Sequence, residues 1–188
     1  MTTVAIILHV LFILCLTSSV VSRAVGLVKA DDRPSQKIWI PVMFGLSQGV
    51  MALLGHSLSR LMSHLFTYIA EYMVFAMMLV VAVKLFVDSI RALKGKMLYT
   101  LTSDKDVLLL TIIAAMNTFL YALVSMFFVP FGIWFFPAVV LAGFLWAFFT
   151  VRIDFTPGII KKVSFIEFAA AVFMVVIAIL YLFTELMI

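Results

Sequence analysis

Leu16-Thr17-Ser18-Ser19-Val20-Val21-Ser22-Arg23 decides how this chain is read. Four hydroxyls and one cation stand inside a run that is otherwise almost wholly apolar from Thr3 to Val28. A second polar turn, Ala115-Met116-Asn117-Thr118, interrupts a later apolar run from Val107 to Val129. Polar side chains inside such runs are either helix-to-helix ties or the lining of a path for solute.

The chain as a whole points to lipid as its solvent. Of 188 residues, 66% are hydrophobic and 12% charged, with a mean hydropathy of +1.28. A soluble domain is nearer half apolar and a quarter charged. At about 20 apolar residues per span and short loops, the length accommodates six spans and no soluble domain. The net charge of +4 is split among short loops, so it reads as a topology signal and not as a nucleic-acid surface. The lone Cys15 excludes an intramolecular disulfide. No basic n-region precedes Val4, so the first run reads as a span and not as a cleaved signal peptide.

Working outward, the spans are expected at about Thr3–Val28, Ile38–Leu58, Thr67–Ala92, Val107–Val129, Ile133–Val151 and Val163–Phe183. The connections carry the breakers: Asp31-Asp32 with Pro34, the polar stretch Leu93–Asp106, the turn Val129-Pro130-Phe131-Gly132, and Thr156-Pro157-Gly158. Span 2 sets Gly45, Gly49, Ala52 and His56 on one face, which suits close helix approach; Ser47 and Gln48 flank it. His56, Arg60 and His64 share a face near the membrane surface and read as solvated or lipid-facing, with no metal assigned. In span 3, Lys84, Asp88 and Arg91 line one face as a structural ion-pair set. In span 6, Glu167 shares a face with Ala171, Met174 and Ala178, and Lys161 or Lys162 is its expected partner. Trp134 and Trp146 suit membrane interfaces.

The loops orient the bundle. Twelve of the 13 Lys and Arg residues flank connections 1–2, 3–4 and 5–6; Arg60 alone lies opposite. The positive-inside rule then places both termini outside. Six spans with this orientation divide into a 3 + 3 inverted repeat, residues 1–97 and 98–188 of one membrane domain. Inverted repeats are a common plan for secondary transporters, with the site near the midplane. Ser19 lies about 15 Å from Lys29, and Thr118 about 20 Å from Lys105, at helical rise. Both polar turns are therefore expected near mid-membrane, facing each other across a two-fold axis.

Several segments resemble a known family. They are Thr17-Ser18-Ser19-Val20 through Val25-Gly26, Phe44-Gly45 through Leu53-Leu54-Gly55, the basic–acidic–Arg set Lys84, Asp88 and Arg91, and Thr111 through Thr118. Nearly the whole chain is similar to the MntP-type manganese efflux family, small six-span exporters. The resemblance implies the fold and an efflux role. It also exposes a departure: the family's intramembrane Asp, Glu and Asp fall on Ser19, Gln48 and Thr118. Hydroxyls and amides offer only dipoles to a hard divalent ion.

The expected fold is thus an all-α integral membrane protein of the cell (inner or plasma) membrane. The expected function is a divergent small-solute or metal-ion exporter whose pathway is lined by Ser19, Ser22, Arg23, Gln48, Asn117 and Thr118. The alternative is a pseudo-transporter serving as a membrane subunit of a larger complex. No nucleophile–base pair, phosphate loop or metal motif appears, so neither an enzyme nor a cofactor is expected. The partners expected are the bilayer and other membrane subunits or further copies of the chain.

Overall fold

A computed structural model describes residues 3–28, 36–94, 104–124, 134–153 and 157–186. Every element among them is helical. The order is α1 (Thr3–Leu16), α2 (Ser19–Val28), α3 (Gln36–Phe66), a 3₁₀ turn (Thr67–Ile69), α4 (Ala70–Leu93), α5 (Asp104–Ala122), α6 (Phe135–Thr150) and α7 (Pro157–Leu186). The loops expected around Asp31-Asp32 and Pro34, most of that from Leu93 to Asp106, and the turn at Pro130 lie outside the described residues. So do the residues that close the expected fourth span.

Among the described residues, four stretches are long and apolar enough to cross a membrane: Ile38–His64, Tyr72–Leu93, Lys105–Ala122 and Gly158–Phe183. The apolar helix Phe135–Thr150 is shorter. The burial pattern is inverted relative to a soluble protein. Large apolar side chains face outward, among them Leu46, Val50, Leu53 and Leu61 of α3 and Phe165, Val172, Val176 and Leu180 of α7. Meanwhile Arg23, Gln48, Asp88, Asn117 and Glu167 are buried. Water would penalise both features; a bilayer favours the first and forces the second to find partners. The chain is an α-helical membrane protein.

Two boundaries differ from the expectation. Span 2 was expected to stop near Leu58, but α3 continues to Phe66, about 46 Å at helical rise. Nothing between Ser59 and Phe66 breaks a helix, and the helix also runs through Pro41. Span 1 is not one helix. Thr17 and Ser18 separate α1 from α2. The amides of Ser18, Val20 and Val21 bond three residues back, at 3.2, 3.1 and 2.9 Å, which tightens the chain at this point. The Thr17 hydroxyl donates to the Ile13 carbonyl at 2.8 Å and the Ser18 hydroxyl to the Cys15 carbonyl at 2.7 Å. Back-bonding hydroxyls of this kind compete with the helix ladder and bend it.

Small residues set the helix spacing. The expected close approach at Gly45 and Gly49 is present. A Cβ on Gly45 would lie 2.9 Å from the Val140 carbonyl oxygen, and one on Gly49 2.5 Å from a Val140 methyl. On α6, a Cβ on Gly143 would meet the Gln48 side chain at 2.6 Å. Gly55 does the same for α5, with the Phe119 carbonyl oxygen at 2.6 Å. Thus α3 packs along both α5 and α6, while α4 packs along α7. The short α2 lies among α4, α5, α6 and α7, which carries its hydroxyls and its arginine into the interior.

Candidate functional site

The break between α1 and α2 is braced from another helix. The Trp146 indole N–H of α6 donates to the Leu14 carbonyl at 3.1 Å. The sequence suggested an interfacial Trp146; instead its N–H closes on a backbone acceptor next to the break. Trp134, by contrast, is exposed.

Two connected polar layers meet beside this break. The first is neutral. The Ser19 hydroxyl donates to the Ala114 carbonyl of α5 at 2.8 Å. Gln48 Nε2 reaches the same carbonyl at 3.5 Å, and the Thr118 hydroxyl donates to Gln48 Oε1. Nearby, the Ser47 hydroxyl donates to Thr111 Oγ1 at 2.8 Å, and Thr111 donates to the Leu108 carbonyl at 2.8 Å. Ser19, Gln48 and Thr118 are all fully buried. The two polar turns singled out in the sequence are therefore joined, through Ala114 and Gln48.

The second layer is charged. Arg23 is buried; its Nη2 sits 3.0 Å from Asp88 Oδ2, and its Nη1 donates to the Ser19 carbonyl at 3.0 Å. Lys84 Nζ lies 3.6 Å from the same Asp88 oxygen and donates to Asn117 Oδ1 at 2.7 Å. Glu167 completes the set. It is fully buried, and the polar groups facing it are Ser22 and Arg23 from α2 and Lys84 and Asp88 from α4. The Ser22 hydroxyl donates to the Ser19 carbonyl at 3.3 Å. Neither Glu167 oxygen accepts a hydrogen bond from a described residue, and Arg23 Nε and Asn117 Nδ2 also lack partners.

Two expectations need correction, and a third gains a partner. Glu167 does not pair with Lys161 or Lys162, which are exposed; its side chain points inward, one helix face away from them. The expected contact of Lys84 with Asp88 is present at 3.6 Å, and Asp88 is in addition the counter-ion of an arginine 65 residues earlier in the chain. Arg91 does not share their environment: Asp88 is buried and Arg91 exposed. The two residues are three apart and share a side of α4, but Arg91 belongs to the last turn of the helix, where its side chain is exposed.

Ser89 and Ser164 form a further buried tie that was not singled out. The Ser89 hydroxyl lies 2.9 Å from the Ser164 carbonyl, and the Ser164 hydroxyl 2.9 Å from the Ser89 carbonyl. Their neighbours in the chain, Asp88 and Glu167, were the available signal. No group of three or more His, Cys, Asp or Glu side chains suited to a metal ion occurs among the described residues. His56 packs edge-on to the Phe136 ring, with centroids 5.4 Å apart.

No protein family matches this chain, no characterised protein matches it, and no solved structure matches it.

Proposed function

We propose that this chain is a six-span secondary transporter of the inner or plasma membrane, exporter-like in plan. We take its cargo to be a small organic solute and not a bare metal ion. The observation that carries the proposal is the interrupted first span, which breaks where buried polar groups from α2, α3, α4, α5 and α7 converge. Irregular backbone at membrane depth is tolerated where it is buried in protein or lines a cavity, and transporters place their sites at such breaks. The pairing of α4 with α7 and of α3 with α6 supports the inverted repeat. It is the like-with-like contact that a two-fold axis gives to spans 3 and 6 and to spans 2 and 5. The basic loops support termini on the outer side.

The charges argue against manganese despite the family resemblance. Asp88 is already shared by two cations, so a divalent ion would enter beside Arg23 and Lys84. Like unit charges about 4 Å apart repel by about 4 kcal/mol at an effective dielectric near 20, and a doubly charged ion by about twice that.

The test uses purified protein in phosphatidylethanolamine–phosphatidylglycerol vesicles loaded with labelled amino acids and short organic acids. Efflux above that of empty vesicles, lost in Ser19→Ala and Thr118→Val, is the expected result. Flux that neither substitution alters sinks the assignment. In manganese-challenged cells lacking their own exporter, the protein is expected to leave cell manganese unchanged.

A second reading, a membrane subunit that has lost transport, is favoured by the mutual satisfaction of Ser19, Gln48 and Thr118. A stable protein partner retained on gentle purification, with no flux in vesicles, selects it.

A further inference from the structure

The strongest unexplained feature is Glu167. It sits one turn above Ala171 on the buried stripe of α7, fully out of contact with the outside. Two cations face it, yet the hydrogen bonds they make go elsewhere, and Arg23 Nε makes none with a described residue. Arg23 gives them to Asp88 and the Ser19 carbonyl, and Lys84 to Asn117, with Asp88 also beside it. An ionised carboxylate in so dry a place would draw one of these cations onto itself. Among the described residues no donor comes within hydrogen-bond distance of either Glu167 oxygen, and the Ser22 hydroxyl that faces it donates to the Ser19 carbonyl; a carboxyl group buried without a bonded cation is disfavoured in its charged form.

We infer that Glu167 is the proton-carrying site that couples transport to a proton gradient, with Lys84 as the cation that moves when the proton leaves. The inference rests on the transport reading above. In the arrangement described here the proton is on Glu167, Lys84 is tied to Asn117, and Arg23 is paired with Asp88. When the Glu167 O–H bond breaks and the proton passes to water on one side of the membrane, a carboxylate remains. Lys84 then replaces the proton as its partner. Two separate ion pairs result, Arg23 with Asp88 and Lys84 with Glu167, and the cluster is neutral.

That movement also uncovers the Asn117 amide. Its oxygen loses the lysine, and its Nδ2 has no partner to begin with. Asn117 then offers both a donor and an acceptor to a polar solute at the depth of Gln48 and Thr118. Reprotonation from the other side returns Lys84 to Asn117 and displaces the solute. Proton and cargo thus occupy the site in turn, which is proton–solute exchange. No electron transfer is involved, and each cycle carries one proton.

Infrared difference spectra of the protein in the same vesicles, taken between about pH 5 and about pH 9, test the proton site. A protonated-carboxyl carbonyl band that vanishes as the pH rises, and is missing in Glu167→Gln, is expected. In Lys84→Gln the band should persist to higher pH, since the replacement partner is gone. Glutamine has the shape of the neutral acid, so Glu167→Gln should elute as the native protein does on size exclusion. No titrating band, or one unchanged in Glu167→Gln, overturns the inference. So does flux in Glu167→Gln that still responds to an imposed pH gradient, and that outcome leaves transport itself standing. A titrating Glu167 band with no flux of any solute instead overturns the transport reading and leaves a protonated carboxyl in a scaffold.

Discussion

The two polar layers lie against each other and obey different rules. In the neutral layer each donated hydrogen finds an acceptor: Ser19 on Ala114, Thr118 on Gln48, Gln48 on Ala114, Ser47 on Thr111 and Thr111 on Leu108. In the charged layer one carboxylate serves two cations while another serves none, and two donor nitrogens are left over. A closed circuit of hydrogen bonds holds one geometry. An open one has alternative pairings of similar energy and can be switched between them. The difference marks the first layer as a joint between α2, α3 and α5, and the second as the part able to move.

The sharpest way to break this comparison is Asp88→Asn. It strips the counter-ion from buried Arg23, and the expected loss is about 3 to 5 kcal/mol, read by thermal unfolding in detergent. The paired change Arg23→Leu with Asp88→Leu should recover most of it, because a buried ion pair replaced by packed apolar groups is close to neutral. A loss as small as that of a neutral-layer variant would mean that Glu167 takes over as counter-ion and that the layers are not distinct. Next in size comes Gly55→Ala. The added Cβ meets the Phe119 backbone oxygen at 2.6 Å and the Ala122 Cβ at 2.7 Å, neither of which is the free end of a flexible side chain. A cost of about 1 to 3 kcal/mol is expected from the same melting curves. It calibrates what helix spacing alone is worth.

Thr118→Val removes one link of the closed circuit, for an expected loss of about 0.6 to 2 kcal/mol. A much larger loss would show that the neutral layer acts as a single unit and not as separate ties. Arg91→Gln is the smallest. The side chain is exposed, and a shift within about 0.5 kcal/mol is expected. A greater one would return Arg91 to the charged layer, from which the structure separates it.

The constituents of the neutral layer were readable in the sequence because hydroxyls and amides are conspicuous in apolar runs. Ser19 and Thr118 stood out for that reason, and counting helical rise from the basic loops put them at matching depth. The charged layer was only half readable. Lys84 and Asp88 are one turn apart and declare their contact. Arg23 with Asp88 does not, since 65 residues separate them. Glu167 was assigned to the lysines nearest in sequence, although its own face, shared with Ala171, Met174 and Ala178, pointed inward. The break at Thr17-Ser18 was visible as a knot of hydroxyls, but its backbone consequence was not. Serine and threonine are tolerated in helices, and only the competing carbonyl bonds decide whether the ladder gives way.

The amino-acid sequence alone determined the helical class, the membrane as solvent, the approximate limits of the apolar segments and the inventory of buried polar groups. Each of these follows from hydropathy and period, which are local. Only the tertiary structure decided which groups meet. A helix such as α7, apolar on nearly all sides, carries little information about its rotation. That rotation is set by its packing along α4, where Ser164 is tied to Ser89, and by the buried polar groups that face Glu167. The energy of a buried charge depends on side chains far away in the chain, so its pairing is a property of the packed bundle.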